Sequence, residues 1–169
     1  NVIMERKFQR PEFSIFTTCY NTWDKFDRVY NSLKKQSLND WEWVIIDDTP
    51  LPKYNEKNHF CFLREKCKND SRIRLYCRAE NSGNIGNVKN EAVSLCRGKY
   101  ILELDHDDEI LPDCLIDAAN EFKDEEVGFV YMDFINIYEN GNNFSYDYPS
   151  INNRALIFRN LSFNSANVT

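Results

Sequence analysis

The feature that most constrains this fold is a short apolar run that ends abruptly in two aspartates. Residues 41–46 read Trp-Glu-Trp-Val-Ile-Ile, and Asp47 and Asp48 follow at once. A nearly continuous apolar run of this length is typical of a strand that is covered on both faces, as strands of parallel sheets are. The sequence therefore predicts a parallel, helix-covered sheet in which at least this strand ends in acidic residues.

Strand and helix patterns alternate along the first two-thirds of the chain. The predicted strands cover residues 13–17, 41–46, 73–77 and 100–104. Apolar residues at helical spacing predict helices over residues 23–33, 85–96 and from about Pro112 to 122, with a weaker helix ending near Cys67. Asn21 or Thr22 is suited to cap the first helix. This alternation predicts one α/β domain with a mainly parallel sheet.

The last part of the chain follows a different pattern. Residues 127–137 predict one long strand, Asn140-Gly141 is a strong hairpin turn, and residues 144–148 predict the returning strand. The Asn-rich tail is expected to be irregular, with one apolar run at 155–158. We therefore expect a single domain over residues 1–169 with an antiparallel hairpin near its C-terminus, and we expect it to be part of a longer chain.

Composition narrows the classes of function. The net charge of -6 argues against a nucleic-acid-binding surface, which is usually basic. No apolar run reaches the roughly 18 residues of a membrane-spanning helix, so we expect no transmembrane segment. The six cysteines show no CxxC and no paired Cys/His spacing, which argues against a zinc site. An even count permits disulfides, but Cys77, Cys96 and Cys114 lie in or beside apolar runs, which favours reduced core thiols in a cytoplasmic protein.

Polar residues follow three of the predicted strands at the point where each strand ends. In open α/β sheets, ligands bind beyond the carboxyl ends of the strands, so these residues are candidates for one shared crevice. The three groups are Thr17-Thr18-Cys19-Tyr20-Asn21, Asp47-Asp48 and Asp105-His106-Asp107-Asp108.

The third group has a specific chemical use. At extended spacing, Asp105 and Asp107 place two carboxylates on the same side of the chain, with His106 as a spacer. One or two carboxylates, together with phosphate oxygens and water, can hold Mg²⁺ or Mn²⁺, and such a cation stabilises a departing diphosphate. Asp108 would point elsewhere, to cap the following helix or to orient a ligand.

Simpler structural interpretations of these residues stay open. The acidic run is also compatible with a solvated turn, Asp47 or Asp48 with a strand-end cap, and Tyr20 with a wall of the core. Asn84 and Lys89 have surface roles by default. Their order and spacing along the chain, taken together, favour a site.

Four segments in order resemble the nucleotide-binding half of family 2 glycosyltransferases. They are residues 14–21, residues 36–48 with Gln36-Ser37 and the paired aspartates, residues 81–90, and residues 98–108 followed by Pro112. Lys89 stands where the family usually has Arg, and Thr49-Pro50 replaces a small Gly/Ser-rich turn. The resemblance covers residues 12–135, and the hairpin and tail, residues 136–169, lie beyond it.

The resemblance implies a GT-A fold, which is a Rossmann-like sheet flanked by helices. It implies inverting transfer of a sugar from a nucleotide-diphosphate donor, with a UDP-sugar favoured, to an acceptor hydroxyl. It also implies roles for residues: Thr18, Tyr20 and Asp48 (or its neighbour Asp47) at the base, Asn84 and Lys89 near ribose and diphosphate, Asp105 at ribose or metal, and Asp107 as the main ligand of Mn²⁺ or Mg²⁺.

No general base is assigned from the sequence. Glu139 and Asp147 are available carboxylates, but nothing around them singles them out. A second hypothesis is therefore a donor-binding module that needs another domain for the acceptor and the base. A third, a nucleotidyltransferase, would carry a Gly-rich, basic phosphate loop near the N-terminus, and none is visible.

Overall fold

The computed structural model describes residues 10–22, 25–50, 60–137, 143–146 and 155–159. Twelve helices and strands lie within these residues. In chain order they are β1 (Phe13–Cys19), α1 (Phe26–Lys34), β2 (Trp41–Asp47), α2 (Phe60–Asn69), β3 (Ile73–Cys77), α3 (Ile85–Leu95), β4 (Tyr100–Glu103), α4 (Cys114–Glu121), β5 (Phe129–Met132), β6 (Phe134–Ile137), β7 (Asn143–Tyr146) and β8 (Ala155–Arg159).

The main sheet has the strand order β3-β2-β1-β4-β8-β5. Strands β1 to β4 are parallel, and β8 is antiparallel to both of its neighbours. From β1 the chain moves outward through β2 to β3, and then returns through α3 to β4 on the other side of β1. The strand order therefore reverses between β1 and β4, and the crevice at such a switch point is the usual ligand site of open α/β sheets.

Apolar side chains on the two faces of the sheet form two separate cores. Alternation along β2 divides its residues, so that Trp41, Trp43 and Ile45 join the first core, while Val44 and Ile46 join the second. Helices α1 and α4 cover the first core, and α3 covers the second. Burying a large apolar side chain contributes about 1.5–3 kcal/mol to the free energy of folding. The apolar residues of β2 therefore strongly favour an interior position for this strand.

The structure confirms the predicted order of elements as far as α4 and changes some of their ends. Strand β1 continues to Cys19, and α4 begins at Cys114 rather than near Pro112. The N-cap position of α4 is Asp113, which makes no side-chain capping bond. The alternative in which Asp108 caps this helix is therefore wrong, because it lies several residues before the first turn.

The predicted cap of α1 is also wrong. The helix begins at Phe26 with Lys25 at its N-cap position, and the Lys25 side chain makes no capping bond. Asn21 instead has a φ of +52°, and the Thr22 hydroxyl donates a hydrogen bond to the carbonyl oxygen of Tyr20. These two residues belong to the turn that leaves β1.

The C-terminal part departs most from the sequence prediction. Residues 127–137 contain two short strands instead of one, because β5 pairs with β8 and β6 pairs with β7. The hairpin is confirmed by the antiparallel pairing of β6 and β7, whereas its Asn140-Gly141 turn lies outside the described residues.

The prediction of an irregular tail is wrong for residues 155–159, which form β8 between β4 and β5. Ile157 of this strand is fully buried in the first core. The apolar run at its centre explains this, because a strand in the interior of a sheet is covered on both faces.

Cysteine burial agrees with the prediction of reduced thiols. Cys19, Cys96 and Cys114 are buried thiols. Burial raises the pKa of Cys96 and of Cys114 to about 12. In the part of the chain that the structure describes, no helix combines the length and the apolar character needed to cross a membrane. Cytoplasmic localisation stays a prediction.

Candidate functional site

A cavity of about 560 Å³ lies at the carboxyl ends of the parallel strands, where the strand order reverses. It brings together seven of the eight residues predicted for the site: Thr18, Tyr20, Asp48, Asn84, Lys89, Asp105 and Asp107. Cys19, Thr22, Asn81, Gly83, Ile85 and His106 complete the lining. A second cavity of about 300 Å³ lies near the start of β4 and contains none of the predicted residues.

The end of β1 provides one wall of the cavity. Thr18 is buried, whereas Tyr20 is 44% exposed, so the interpretation of Tyr20 as a wall of the core is wrong. Beneath them, the Thr17 hydroxyl donates to the carbonyl oxygen of Leu104 at 2.6 Å and accepts from Trp43 Nε1 at 2.9 Å. One buried hydroxyl therefore ties the end of β1 to β2 and to the end of β4.

Asp48 lies at the end of β2 with its carboxylate held by several donors. Asn81 Nδ2 donates to Oδ2 at 2.7 Å, and the Ser82 N–H donates to Oδ1 at 2.9 Å. Arg78 Nε is 3.0 Å from Oδ1, although its N–H is not aimed at that oxygen and forms no hydrogen bond. Asp48 therefore fixes the turn that precedes α3, and its side chain is only 10% exposed.

Asp47 is the one predicted residue that the cavity does not contain. It is fully buried, and its Oδ1 accepts the N–H of Thr49 at 2.9 Å. The Cys19 thiol is next to it, and burial together with the negative charge of Asp47 raises the pKa of that thiol far above its usual range. Asp47 therefore lies beneath the cavity wall and stabilises the turn after β2.

Asn84 is the N-cap of α3. Its Oδ1 accepts the N–H of Gly86 at 2.9 Å and that of Asn87 at 3.3 Å. Gly83, just before it, has a φ of +66°, a conformation that favours glycine. This turn directs the first residues of α3 toward the cavity, where Ile85 is 60% exposed.

Lys89, one turn further along α3, forms an ion pair with Glu103 at the end of β4. The hydrogen bond that Lys89 donates to the Glu103 carboxylate is the largest cause of the raised pKa of Lys89, and the nearby charge of Asp105 adds to it. The ammonium group is therefore charged at neutral pH on the side of the cavity where the acidic residues lie.

The acidic turn after β4 differs from the end of β2. Asp105 and Asp107 are exposed and line the cavity. The Asp107 carboxylate, 44% exposed, has Lys25 Nζ at 3.6 Å from its Oδ2. The Asp108 N–H donates to the carbonyl oxygen of Asp105 at 3.1 Å, which closes the turn.

Gln36 anchors the segment that follows the acidic turn. This side chain is buried; its Nε2 donates to the carbonyl oxygen of Leu111 at 2.7 Å, and its Oε1 accepts the N–H of Leu115 at 3.1 Å. Gln36 thus supplies a capping bond at the start of α4 that Asp113 does not make. The Ser37 N–H adds a bond to the carbonyl oxygen of Pro112 at 2.9 Å.

The chemistry of the acidic turn suits a hard divalent cation. Mg²⁺ is usually held by one or two carboxylates, with the remaining ligands supplied by substrate phosphates and water. Asp105 and Asp107 can provide the carboxylates, and both line the cavity. Among the described residues, no group of three or more His, Cys, Asp or Glu side chains forms a complete metal site. The residues therefore fit a cation that a bound diphosphate helps to hold.

Sequence reasoning missed the residues that support the site from other elements. Arg78 contacts Asp48 and pairs with Glu91 of α3, while Glu103 pairs with Lys89. Lys25 contacts Asp107 from the N-cap position of α1. These are single charged residues on or next to predicted helices and strands, and no local pattern distinguishes them from ordinary surface charges.

Comparison with known proteins agrees with the fold. The family model "Glycosyl transferase family 2" matches residues 14–168. The chain is 35% identical over 142 residues to the chondroitin synthase of Escherichia coli, covering 82% of this chain and 20% of that protein.

Two crystal structures of S. aureus TarS are also similar. The structure of residues 1–349 with UDP has a TM-score of 0.69 at 21% identity, over 93% of this chain and 49% of that one. The structure with UDP-GlcNAc has a TM-score of 0.59 at 27% identity, over 70% of this chain and 33% of that one.

A parallel sheet with a cavity at its switch point defines the class as an α/β ligand-binding domain, and the structural likeness confirms the GT-A fold. Because the family model spans nearly all of the sequence, the chain belongs to glycosyl transferase family 2.

Proposed function

We propose that this chain binds the donor of an inverting glycosyltransferase, a nucleotide-diphosphate sugar, with the help of Mn²⁺ or Mg²⁺. The observation that carries the proposal is the convergence of seven predicted residues on one cavity at the switch point of the sheet. Such crevices are where open α/β sheets bind nucleotides. The cavity volume of about 560 Å³ is within the usual range of small-ligand sites.

The nucleotide base would lie between the ends of β1 and β2. Tyr20 offers an exposed ring for stacking, and Thr18 and Asp48 offer polar groups at the same wall. Asp48 is the better candidate of the paired aspartates, since Asp47 is buried below the cavity. Because protein donors already hold Asp48, its carboxylate can meet a base with little loss of side-chain entropy.

The diphosphate would lie toward α3 and the acidic turn. Asp107 is the main candidate ligand of the cation, with Asp105 beside it at ribose or metal. When bound, the cation would neutralise the negative charge that builds up on the departing diphosphate. Lys89 adds a positive charge on this side. Asn84 caps α3 and shapes the turn beside which the ribose would lie.

A UDP-sugar is the favoured donor. TarS, which is 27% identical over the matched region, has been crystallised with UDP-GlcNAc. In inverting transfer, the acceptor hydroxyl attacks the anomeric carbon from the face opposite the departing diphosphate while a general base removes its proton. No described residue of this chain is assigned as that base.

The alternative is a donor-binding module that requires another domain for the acceptor and the base. No carboxylate among the described residues is assigned as the base, which leaves this alternative in place. The chain spans 20% of the E. coli chondroitin synthase and 10% of the O-antigen biosynthesis protein RfbC of Myxococcus xanthus. Neither hypothesis identifies the acceptor molecule.

Calorimetry with UDP and UDP-sugars, in Mn²⁺ and in EDTA, tests donor binding. We expect Mn²⁺-dependent heat for the unmodified chain and its loss in Asp107→Asn, while Asp113→Asn, an exposed acid at α4, behaves like the unmodified chain. Measurement of UDP release in the same samples separates the two hypotheses, because a module binds without release. Equal Mn²⁺-dependent binding by the Asp107 variant would refute the metal assignment.

A further inference from the structure

Two cations at the start of α1 contact the acidic turn in different ways. Arg28 Nη2 donates to the main-chain carbonyl oxygen of Asp107 at 2.6 Å, and Arg28 Nε is 3.4 Å from Glu109 Oε1. Lys25 Nζ is 3.6 Å from Oδ2 of the Asp107 carboxylate. One cation therefore holds the main chain of the turn, and the other lies beside the carboxylate that a metal would need.

Arg28 leaves the Asp107 carboxylate free. Its guanidinium spans two points of the turn, the carbonyl oxygen of Asp107 and the carboxylate of Glu109, and so joins the turn to α1. A planar, multidentate donor restrains the groups that it joins more strongly than a point charge does. This contact restricts where the Asp107 side chain can point.

Lys25 acts on the carboxylate itself. Both side chains are close to half exposed, at 45% for Lys25 and 44% for Asp107. Exposed pairs of this kind are weak, so a divalent cation can displace the ammonium group. The ammonium group nevertheless opposes a metal at this carboxylate, because the two cations repel each other and are attracted to the same negative charge.

We propose that Arg28 and Lys25 are positioning residues with opposite effects on cation binding at Asp107. Arg28 increases the affinity by fixing the acidic turn, and Lys25 decreases it by competing for the carboxylate. This inference rests on the proposed function, because it requires a cation at Asp107.

The expected effects differ in size as well as in sign. Loss of a group that orients a metal ligand typically lowers metal affinity about 10–100-fold, so we expect roughly a tenfold loss for Arg28→Met. Removal of an exposed competitor is a smaller change, and we expect Lys25→Met to raise the affinity about two- to fourfold.

Electron paramagnetic resonance of free Mn²⁺ measures this directly without an activity assay. Mn²⁺ is titrated into the protein with UDP present at a saturating concentration, and the bound fraction is compared among variants and with a protein-free UDP blank. Lys35→Met is the matched control, because Lys35 is an exposed cation at the other end of α1. UDP binding in EDTA should be the same in all variants.

Arg28→Lys keeps the variant set informative if Arg28→Met unfolds. A lysine can donate to the Asp107 carbonyl oxygen but cannot span both acceptors, so we expect an intermediate affinity. Thermal melting of each variant shows whether it is folded at the titration temperature.

Opposite shifts for the Lys25 and Arg28 variants would support the proposal. It is overturned if both shift in the same direction, or if both stay equal to Lys35→Met while Asp107→Asn still loses the metal. If the unmodified protein shows no Mn²⁺ binding beyond the UDP blank, the proposed function itself fails, and the inference fails with it.

Discussion

The two acidic strand ends of this sheet differ in how their carboxylates are held. At the end of β2, Asp48 is 10% exposed and accepts hydrogen bonds from Asn81 and Ser82, with Arg78 alongside. At the turn after β4, Asp107 is 44% exposed and has one weak ion pair to Lys25. Both carboxylates line the same cavity.

This difference indicates different roles for the two carboxylates. A carboxylate held by buried donors has a fixed shape, which suits recognition of a planar base and holds the surrounding loops in place. An exposed carboxylate can exchange its partner for a cation at little cost in folding energy. We therefore expect the end of β2 to control stability and the turn after β4 to control metal-dependent binding.

The largest effect on stability is expected for Asp48→Ala. It removes the acceptor of two hydrogen-bond donors, Asn81 Nδ2 and the Ser82 N–H, and one of the two carboxylates that pair with Arg78, so the free energy of unfolding should fall by about 2–4 kcal/mol. Urea denaturation measures this. Asp107→Ala is the control and should change stability by no more than about 0.5 kcal/mol. Equal losses in the two variants would remove the distinction between the strand ends.

A smaller loss of stability is expected when the hydrogen bonds that link the strand ends through Thr17 are removed. Thr17→Val keeps the shape of the side chain but removes the hydroxyl that serves Trp43 Nε1 and the Leu104 carbonyl oxygen. Leaving these buried groups unpaired should cost about 1–3 kcal/mol of unfolding free energy. Thr18→Val next to it is the comparison, and an equal loss there would contradict a linking role specific to Thr17.

Lys89→Met should affect binding more than stability. The Lys89–Glu103 pair is partly exposed, so we expect the melting temperature to stay nearly constant. Loss of a charged donor near the diphosphate should weaken UDP binding roughly tenfold in the presence of Mn²⁺. Uridine, which has no phosphate, serves as the control ligand and should bind both proteins equally. A tenfold loss for uridine as well would place Lys89 elsewhere.

The smallest effect concerns thiols and pH. The pKa of Cys96 and of Cys114 is raised by burial from about 9 to about 12, so the folded state keeps these protons longer than the unfolded state does. Their contribution to stability is complete below pH 9 and is lost as the pH rises from 9 toward 12. Cys19, which is buried at the cavity wall, should likewise resist iodoacetamide at pH 8, as peptide mass mapping can show. Rapid modification of Cys19 would mean that this wall opens.

The parallel part of the fold follows from local patterns in the sequence. Buried parallel strands are continuously apolar, and the helices between them show a clear periodicity, so the order of elements from β1 to α4 could be predicted. The strand ends could be assigned to one crevice for the same reason, since parallel topology alone brings Tyr20, Asp48 and Asp107 together.

Long-range pairing could not be predicted in this way. Whether residues 155–158 form a tail or an interior strand depends on β4 and β5, which are far away in sequence. No local pattern shows why position 98 is glycine, yet a Cβ there would lie 2.4 Å from the backbone nitrogen of Ser14. Likewise, nothing near Gln36 in the sequence shows that it holds the start of α4.

The claim that Asp107 binds the metal while Asp48 holds the loops is tested most directly by locating the cation. Crystals grown with UDP and Mn²⁺ would give an anomalous difference peak at the metal. The account predicts one peak about 2.1 Å from a carboxylate oxygen of Asp107 and bonded to the diphosphate, with the Asp48 carboxylate still bound to Asn81 and Ser82. A peak at Asp48, or Mn²⁺ on the diphosphate without a carboxylate of the acidic turn, would contradict it.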